Sequence, residues 1–540
     1  MPWNGIYHPE AKKLYENLEE YTADFCHPGR PFIGVIFYRD EWLSGNLSYQ
    51  DALIAEAERQ GLNIIPVFSH GVKNPEMGAP GLEDAVERYF RQNGKTVIDC
   101  LINTLKFSLT ASGSMSLDVL KRLNVPLLQA YTLMRSTEEW SDSIEGMTPV
   151  EVAISVTMPE FDGAIHGIPI AGKYKTSDNI ITYKPISERI SLMIQKAKKW
   201  SFLRHKPNKD KKVAIIFHNY PPTNSNIGTA LGMDSPESVR LLLIKLQKAG
   251  YEVNHIPEDS LSFMKEITAC ATNDRSFMTE EMIEQAEGKL SKEAYETFFK
   301  TLPSSVQKRM IDAWGPPPGD VFFYDKNLLI PGMRNGNVFI TVQPPRGFGE
   351  DSGKIVHDPV CPPTHHYLAF YHWLRDIYQA DALIHVGTHG SVEWLPGKAA
   401  GLSETDYSSI CLSDLPNLYL YIITVIGEGI QAKRRSAACL IDYLTPPIST
   451  GGLYDELAEL ESLIDEYLDF KDNEKDQLED VENLIRAKAK DCHMEDIQEG
   501  RDFNDYITLL HNQLTDIKNM QIRVGLHTLG VSPEGQKRKE

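Results

Sequence analysis

The chain has 540 residues, of which 41% are hydrophobic and 24% are charged, a composition typical of a globular protein with a sizeable core. Its formal net charge of −20 argues against a nucleic-acid or anionic-membrane binder, because either surface requires a basic face. No basic segment followed by an apolar one begins the sequence, and no apolar run is long enough to cross a membrane. We therefore expect a cytoplasmic protein, and the seven scattered cysteines predict no disulfide framework.

The first region of the chain alternates apolar segments with an amphipathic one. The apolar segments PFIGVIFY and LNIIPVF flank SYQDALIAEAERQG, which ends at Gly61. This pattern predicts a strand, a helix and a second, parallel strand, and the segments VIDCLINTL and VPLLQAY continue the alternation. We expect an N-terminal α/β domain over residues 1–205, with a boundary in the polar, basic segment from Lys198 to Lys212.

The second region repeats the alternation. The segments KVAIIFH, NVFITVQ and ADALIHV predict strands, and YLAFYHWLRDIY predicts a largely buried helix. The segment DSPESVRLLLIKLQKAG predicts a helix with Ser235 as N-cap, Pro236 in its first turn and Gly250 as its terminator. We expect a second α/β domain over residues 206–450.

The last region differs from the two preceding ones in its sequence pattern. Leucine and isoleucine recur there at helical spacing among many acidic residues. This pattern predicts a helical region over residues 451–540, which we expect to be incomplete. The predicted fold class is therefore α/β, with two consecutive α/β units that contain mainly parallel sheets, followed by a helical C-terminal region.

Three loops of the second region follow predicted strands. In open α/β sheets, binding sites form beyond the carboxyl ends of the strands, where such loops converge. The loops FHNYPPTNSNIG, QPPRGFGEDSGKIVHDP and HVGTHGSVEWLPGK carry the candidate site residues His218, Asn226, Gln343, Arg346, His357, His385, His389 and Glu393.

The spacing of these residues leaves their roles open. His385, His389 and Glu393 recur every four residues and would share one face of a helix, yet the glycines and the preceding strand argue against a helix there. The pattern also differs from the H-E-x-x-H zinc motif. A metal or acid–base role and a purely structural role both fit. A single histidine such as His218 or His357 is more often structural, and Arg346 could simply cap backbone carbonyls.

Longer segments resemble the large subunit of the cobaltochelatase and magnesium chelatase family. They are HVGTHGSVEWLPGKAAGLS, QPPRGFGEDSGKIVHDPVCPPTHHYLAFYHWLRD, FHNYPPTNSNIGTALGMDSPES and GEGIQAKRRSAACLIDYLTPP. The resemblance implies an enzyme that inserts a divalent metal into a tetrapyrrole, with ATP hydrolysed by a separate AAA+ subunit that works with an adaptor subunit. The family subunit is much longer, so this chain resembles its middle segment.

Two metals are compatible with the resemblance. GEGIQAKRRS and EWLPGK are similar to the cobalt branch, whereas YLTPPISTGGLY is similar to the magnesium branch. We favour insertion of Co²⁺ into hydrogenobyrinic acid a,c-diamide, on the way to cobalamin. The alternatives are insertion of Mg²⁺ into protoporphyrin IX, a truncated tetrapyrrole-binding module without catalysis, and a stand-alone metal hydrolase.

The resemblance also implies roles for the candidate residues. Metal insertion needs a group that removes protons from the inner nitrogens and a weak, transient seat for the metal. We expect Glu393 to be the base and metal guide, with His385 and His389 as catalytic partners and metal ligands, and His357 as a further ligand. Residues expected to bind the macrocycle, with arginines pairing to its carboxylates, are Arg346, Gln343, His218, Asn226, Lys433, Arg434 and Arg435. The run Lys433 to Arg435 could equally be solvated or face the AAA+ partner.

The sequence predicts that this chain does not hydrolyse ATP. The segment NGKT ends like a P-loop, but the position five residues before Gly94 is Tyr89, so the phosphate-binding glycine pattern is absent. A phosphate-release assay on the purified chain should therefore show no turnover above buffer. ATP hydrolysis that copurifies with the chain through successive columns would contradict this prediction.

Overall fold

A computed structural model of the chain describes residues 1–111, 115–347, 355, 358–388, 390–446, 448–450, 453, 455–473, 478–494, 502–519, 521–523 and 525–532. The chain forms two compact units, one of residues 1–231 and 235–443, the other of residues 232–234 and 444–540. No helix in the described ranges is both long and apolar enough to cross a membrane.

The first large sheet has seven strands and lies in the N-terminal part of the larger unit. Its strands are β1 (Asn4–Ile6), β2 (Phe32–Tyr38), β3 (Asn63–Ser69), β4 (Cys100–Asn103), β5 (Leu127–Thr132), β6 (Ile165–Lys175) and β7 (Ile181–Pro185). They are arranged in the order β1-β3-β2-β4-β5-β6-β7, and the five central strands are parallel. The edge strands β1 and β7 pair antiparallel to their neighbours.

Helices cover both faces of this sheet because its central strands are apolar on both sides. Ile36 and Val67 pack on one face with Val86, whereas Val35 and Ile102 pack on the opposite face. The helices and short helical turns of this part are Leu18–Phe25, Arg39–Ser44, Ser48–Arg59, Leu82–Tyr89, Leu117–Leu123, Thr137–Asp142, Pro149–Val152, Ala153–Thr157, Met158–Glu160 and Ser187–His205.

The second large sheet has six strands. They are β8 (Val213–Phe217), β9 (Met333–Asn335), β10 (Val338–Val342), β11 (Ala382–Val386), β12 (Asn417–Ile422) and β13 (Ala438–Tyr443). Their order is β9-β10-β8-β11-β12-β13, with all neighbours parallel except the edge pair β9 and β10. The strand β8, first in the chain, therefore lies between β10 and β11. The chain adds its next strands on one side of β8 and its later strands on the other side, so the strand order reverses at β8.

A large apolar core lies against one face of the second large sheet. Ala214, Phe339 and Leu383 of three strands pack with Tyr367 and Phe370 of the buried helix His365–His372. That helix continues as one π-helical turn, Trp373–Ile377. The other helices of this part are Asn208–Asp210, Asn224–Asn226, Ser235–Lys248, Ser260–Ala269, Arg275–Phe277, Glu280–Gln285, Lys292–Phe299, Ser304–Trp314, Val392–Trp394, Tyr407–Leu412 and Ile426–Arg435.

Two small antiparallel sheets also belong to the larger unit. One pairs Arg91–Gln92 with Lys95–Thr96. The other places Asn327–Ile330 between Gly288–Ser291 and Phe323–Tyr324. Leu290, Leu328 and Ile330 of the second small sheet add to the apolar core beside the buried helix.

Within the larger unit, hydrogen bonds join the loops of the two large sheets. The indole nitrogen of Trp140 donates to the carbonyl of Gly401 at 2.8 Å. The ammonium of Lys398 donates to the carbonyls of Ser141 and Ser143, each at 2.9 Å. The segment that follows Glu393 is therefore held by the N-terminal part of the chain.

The smaller unit is mainly helical. Its helices are Asp455–Asn473, Leu478–Asp491 and Phe503–Asn519, and Ile448–Thr450 pairs antiparallel with Gln521–Arg523. Leu460, Ile485 and Leu510 belong to the apolar core that these helices share.

The predicted fold class is confirmed. Each of the strands predicted above is present, and the first strand–helix–strand unit is parallel as expected. Two local details differ. Ser235 is the first residue of its helix rather than the residue before it, and the basic segment after Lys198 continues a helix as far as His205. The helical extension is stabilised by burial, because Ser201 is fully buried and Lys198 donates to the carbonyl of Gln60.

Candidate functional site

A pocket of about 210 Å³ opens at the carboxyl end of the second large sheet, where the loops after β8, β10 and β11 meet. This is the point where the strand order reverses, and it is the usual place for a binding site in such sheets. The lining residues come from all three loops and are His218, Asn219, Tyr220, Gln343, Pro344, Pro345, Arg346, Gly390, Ser391 and Trp394.

Glu393 lies directly behind the wall of this pocket, in the short helical turn Val392–Trp394. Its side chain is fully buried. The Oε1 atom accepts a hydrogen bond from the backbone N–H of Gly390 at 3.0 Å and another from the hydroxyl of Tyr419 at 3.1 Å. Gly390 permits this approach, because a Cβ atom there would lie 2.5 Å from the Tyr419 hydroxyl. The carboxylate is therefore held in one orientation beside the pocket.

His385 is buried within β11, and both of its ring nitrogens are hydrogen-bonded. Nδ1 lies 2.7 Å from Oδ1 of Asn417, whose Nδ2 donates to the carbonyl of Ser436. Nε2 lies 3.1 Å from the hydroxyl of Tyr371. Because Oδ1 can only accept, the proton of the ring is assigned to Nδ1. Burial lowers the pKa of His385 to about 4, against a smaller opposing contribution from Asn417, so the ring is neutral near pH 7.

A chain of hydrogen bonds continues from His385 to the loop that carries Glu393. The hydroxyl of Tyr371 accepts from Nε2 of Gln343 at 2.8 Å, and Oε1 of Gln343 accepts from the backbone N–H of Ser391 at 3.0 Å. In addition, the ring of His385 stacks on that of Tyr419, with centroids 5.2 Å apart. His385 therefore orients two groups, Ser391 and Tyr419, that lie next to the carboxylate.

Arg346 is in contact with the pocket, although its side chain is almost fully buried. One terminal nitrogen, Nη2, donates to the backbone carbonyls of Asp358 and Cys361. Burial lowers the pKa of the guanidinium, in the direction expected for a desolvated cation. Arg346 thus caps carbonyls of the segment 358–361 and also adds positive charge to the pocket wall.

The structure brings together only part of the predicted site. His218, Gln343 and Arg346 line the pocket, and Glu393 and His385 lie behind it. Asn226 is not among the described lining residues, and its amide donates to the hydroxyl of Thr223.

The basic run also lies elsewhere, on the helix Ile426–Arg435. Arg434 forms an ion pair with Glu160 at 2.9 Å, and Arg435 donates to the carbonyl of Leu395. Lys433 lines a separate cavity with Gln129 and Glu160. The run therefore packs against the N-terminal part of the unit and does not line the described pocket.

Only two of the predicted metal ligands, His385 and Glu393, lie among the described residues. His357 and His389 lie outside the described residues. Among the described residues, no cluster of three or more histidine, cysteine or acidic side chains is arranged to hold a metal ion. The ligand roles of His357, His385, His389 and Glu393 stay predictions, and for His385 both ring nitrogens are already engaged.

Sequence reasoning missed three residues of this site, Tyr371, Asn417 and Tyr419. Tyr419 and His385 are partners in the register of β11 and β12, so they meet across the sheet although 34 positions separate them. The available signal was a histidine and an asparagine within otherwise apolar strands, since buried polar groups need partners.

Comparisons with known proteins give a consistent result. The family described as CobN/Magnesium Chelatase matches residues 1–540. An uncharacterized protein of Methanocaldococcus jannaschii is 43% identical over 99% of this chain and 45% of its own length. The aerobic cobaltochelatase subunit CobN of Pseudomonas aeruginosa is 32% identical over 100% of this chain and 43% of its own length.

A solved structure agrees with these relatives. The catalytic subunit of cobaltochelatase from Mycobacterium tuberculosis superimposes with a TM-score of 0.79 at 30% identity, covering 99% of this chain and 45% of that chain. The chain thus spans less than half the length of the relatives that it matches.

We expect the buried, neutral His385 to make stability depend on pH. In the unfolded chain a histidine binds its proton with a pKa near 6.5, whereas folding lowers the pKa of His385 to about 4. Between these values the unfolded state binds more protons, so the unfolding free energy falls as pH drops from 6.5 to 4, by about 3 kcal/mol for this group. Denaturant titrations of a His385→Gln variant should therefore show an unfolding free energy that falls less between pH 6.5 and 4 than in wild type, by this same amount.

The same measurement on His366→Gln provides a matched comparison. Burial also lowers the pKa of His366 to about 4, but its Nε2 bonds to the carbonyl of Leu329, outside the network around Glu393. Each single variant should lose a similar share of the pH dependence. An unchanged pH profile in His385→Gln would show that His385 is not held neutral by burial.

Proposed function

This chain belongs to the CobN/magnesium chelatase family, and from that premise we propose that it is the part of a chelatase large subunit that binds a tetrapyrrole and receives the metal ion. The observation that carries the proposal is the buried carboxylate of Glu393, held by Gly390 and Tyr419 beside a pocket at the strand-order reversal. A site for metal insertion needs such a proton acceptor next to the ring.

The pocket suits one edge of a flat macrocycle. Its volume of about 210 Å³ is below the roughly 300–1,000 Å³ typical of sites that enclose a drug-sized ligand. In our proposal only one side of the ring therefore enters. Trp394, Pro344 and Pro345 supply apolar contact for the ring face, and His218 and Gln343 supply polar contact at its rim. The guanidinium of Arg346 on the pocket wall supplies positive charge for a peripheral carboxylate of the macrocycle.

The chemistry assigned to Glu393 is proton removal and metal guidance. As M²⁺ exchanges water for the inner nitrogens, a pyrrole N–H proton must leave, and the carboxylate is the group that accepts it. The hydrogen bonds from Gly390 and Tyr419 fix Oε1, which orients the group before the proton moves. His385 acts as a positioning residue through its contacts with Tyr371 and Tyr419. His389 is proposed as a metal partner.

We propose Co²⁺ as the substrate metal and hydrogenobyrinic acid a,c-diamide as the macrocycle. The segments GEGIQAKRRS and EWLPGK support the cobalt branch. The segment YLTPPISTGGLY supports the second candidate, Mg²⁺ and protoporphyrin IX, since the family also includes magnesium chelatases. In either case we propose that an AAA+ subunit and its adaptor hydrolyse ATP, and that the remainder of the large subunit completes the enzyme.

Binding of a carboxylated tetrapyrrole should quench the fluorescence of Trp394, because this side chain lines the pocket. Titration of the purified chain with such a macrocycle should give saturable quenching, and calorimetry should give a matching affinity. In a Trp394→Phe variant most of this quenching should disappear. The buried Trp373, which packs on Phe339, is the matched control and its replacement by Phe should leave the quenching in place. Unchanged emission with no heat of binding would contradict the site assignment.

Replacing Glu393 with glutamine should reduce metal insertion far more than macrocycle binding. In the Glu393→Gln variant the amide oxygen can still accept from Gly390 and Tyr419, but the group loses its charge and its basicity. Loss of a positioned base typically costs about 10²- to 10⁴-fold in rate. Insertion is followed by the absorbance change of the macrocycle, with the partner subunits, ATP and the remainder of the large subunit present.

The exposed Glu258 provides the control for this variant, since Glu258→Gln removes the same charge on the surface and should retain insertion. If Glu393 were only a structural acid, Glu393→Gln would lower thermal stability while each folded molecule inserted metal at the normal rate.

A further inference from the structure

A second cavity, separate from the pocket, lies within the larger unit between the helices Ser187–His205 and Ile426–Arg435. Its volume is about 40 Å³, which is room for roughly three water molecules. Among the described residues that line it, four carry positive charge and none carries a carboxylate. The four are Arg189, Lys196, Arg434 and Arg435.

Three of these cations have no acidic partner among the described residues. Only Arg434 is neutralised, by the ion pair with Glu160. Arg189 is 5% exposed and Lys196 is 4% exposed, and within the described chain neither forms an ion pair closer than 4 Å. The ammonium of Lys196 makes no hydrogen bond to a described residue, and the Nε atoms of Arg189 and Arg435 have no described partner either.

The surrounding carboxylates do not fill this role. Glu188, Glu404 and Asp406 act on Arg189 through space, and Asp406 and Glu393 act on Arg435. None of the three acids near Arg189 forms an ion pair with it among the described residues, and the oxygens of Asp406 accept hydrogen bonds from Ser403 and from the backbone N–H of Lys398. Lys196 is likewise influenced by Asp414 only through space. Burial lowers the pKa of Lys196 to about 8, and the neighbouring charge of Arg189 acts in the same direction. A buried cation without a partner is unfavourable, so this arrangement calls for a counter-charge.

We propose that this cavity binds a small tetrahedral oxyanion of the phosphate class. Arg189 and Lys196 lie seven residues apart on one helix, so both project from the same face, and Arg435 faces them from the other helix. Guanidinium groups and an ammonium are the usual ligands of such anions. The hydroxyl of Ser409 lines the same cavity, accepts from Arg189 and can donate to the anion as well.

The cavity is linked to the loop that carries Glu393. The hydroxyl of Ser408 donates to the carbonyl of Val392 at 2.6 Å, and Arg435 donates to the carbonyl of Leu395. These two carbonyls bracket Glu393. Because the single proton of Ser408 is used by Val392, the anion acts on the loop through Arg435, which it would hold in its present position, and this makes the cavity an effector site for the neighbouring pocket.

The experiment measures thermal unfolding of the purified chain during titration with inorganic phosphate at constant ionic strength. Occupation of the cavity should raise the apparent Tm by about 2–4 °C once phosphate exceeds its Kd about 100-fold, and the rise should saturate. Phosphate also stabilises proteins without binding, but that effect grows steadily with concentration. A rise that fails to saturate in wild type overturns the proposal.

Lys196→Met tests the site directly. The variant should unfold at a higher temperature than wild type without phosphate, because an unpaired buried charge is gone, and the phosphate-dependent shift should be lost. Arg435→Met should likewise lose the phosphate-dependent shift. This second variant replaces Lys196→Met as the test if Lys196→Met does not fold. The control is Lys199→Met, on the same helix but outside the described lining, which should keep the full shift. Retention of the shift in both cavity variants overturns the proposal.

Acetate and propionate form the last arm, because the carboxylates of a macrocycle could supply similar charge. Phosphate should saturate the cavity at concentrations lower than those of either carboxylate by about tenfold or more, as expected for a site with several converging donors. Carboxylates that match or exceed phosphate would overturn the tetrahedral assignment.

Discussion

The site depends on one buried histidine. An imidazole within a fully apolar strand must have both nitrogens satisfied, since each unsatisfied buried polar group costs about 1–3 kcal/mol. His385 meets this requirement with Asn417 and Tyr371, and Tyr371 in turn accepts from Gln343. These partners come from β12, from the loop after β10 and from the buried helix. Satisfying one ring therefore fixes how β10, β12 and the helix are placed around the loop of Glu393.

The strand order supplies the second constraint. Because β8 lies between β10 and β11, the loops after these three strands must converge, and the pocket forms between them. The loop after β11 is also restrained from beyond the pocket, where Lys398 and the carbonyl of Gly401 bond to the N-terminal part of the unit. Glu393 is thus positioned between two anchored segments. Such preorganisation is what an acid–base group requires.

The sequence predicted the parts of this arrangement that depend on local patterns. Apolar runs of strand length and capped amphipathic segments identified the strands and helices, and the rule that loops converge beyond parallel strands placed His218, Gln343 and Glu393 together. The pairing of His385 with Tyr419 was not predictable, because the register between two parallel strands is a property of the folded sheet. The position of the basic run was not predictable for a related reason. Arg434 bonds to Glu160, which lies 274 residues earlier in the chain, and no local sequence pattern predicts a contact over that separation.

In our proposal, the cations of the pocket and of the second cavity link the metal site to the anion site. A divalent ion in the proposed site would approach the positive charge of Arg346, which lines the pocket, and that of Arg435, which acts on Glu393 through space, while Glu393 balances only one unit of charge. Repulsion of this kind is strong where water is excluded, because little screening is available. A phosphate-class anion behind the loop would lie next to Arg435 and reduce the positive potential at Glu393. In our proposal, occupation of the cavity and acceptance of the metal are therefore coupled through Arg435, which contacts the loop at Leu395 and lines the cavity at the same time.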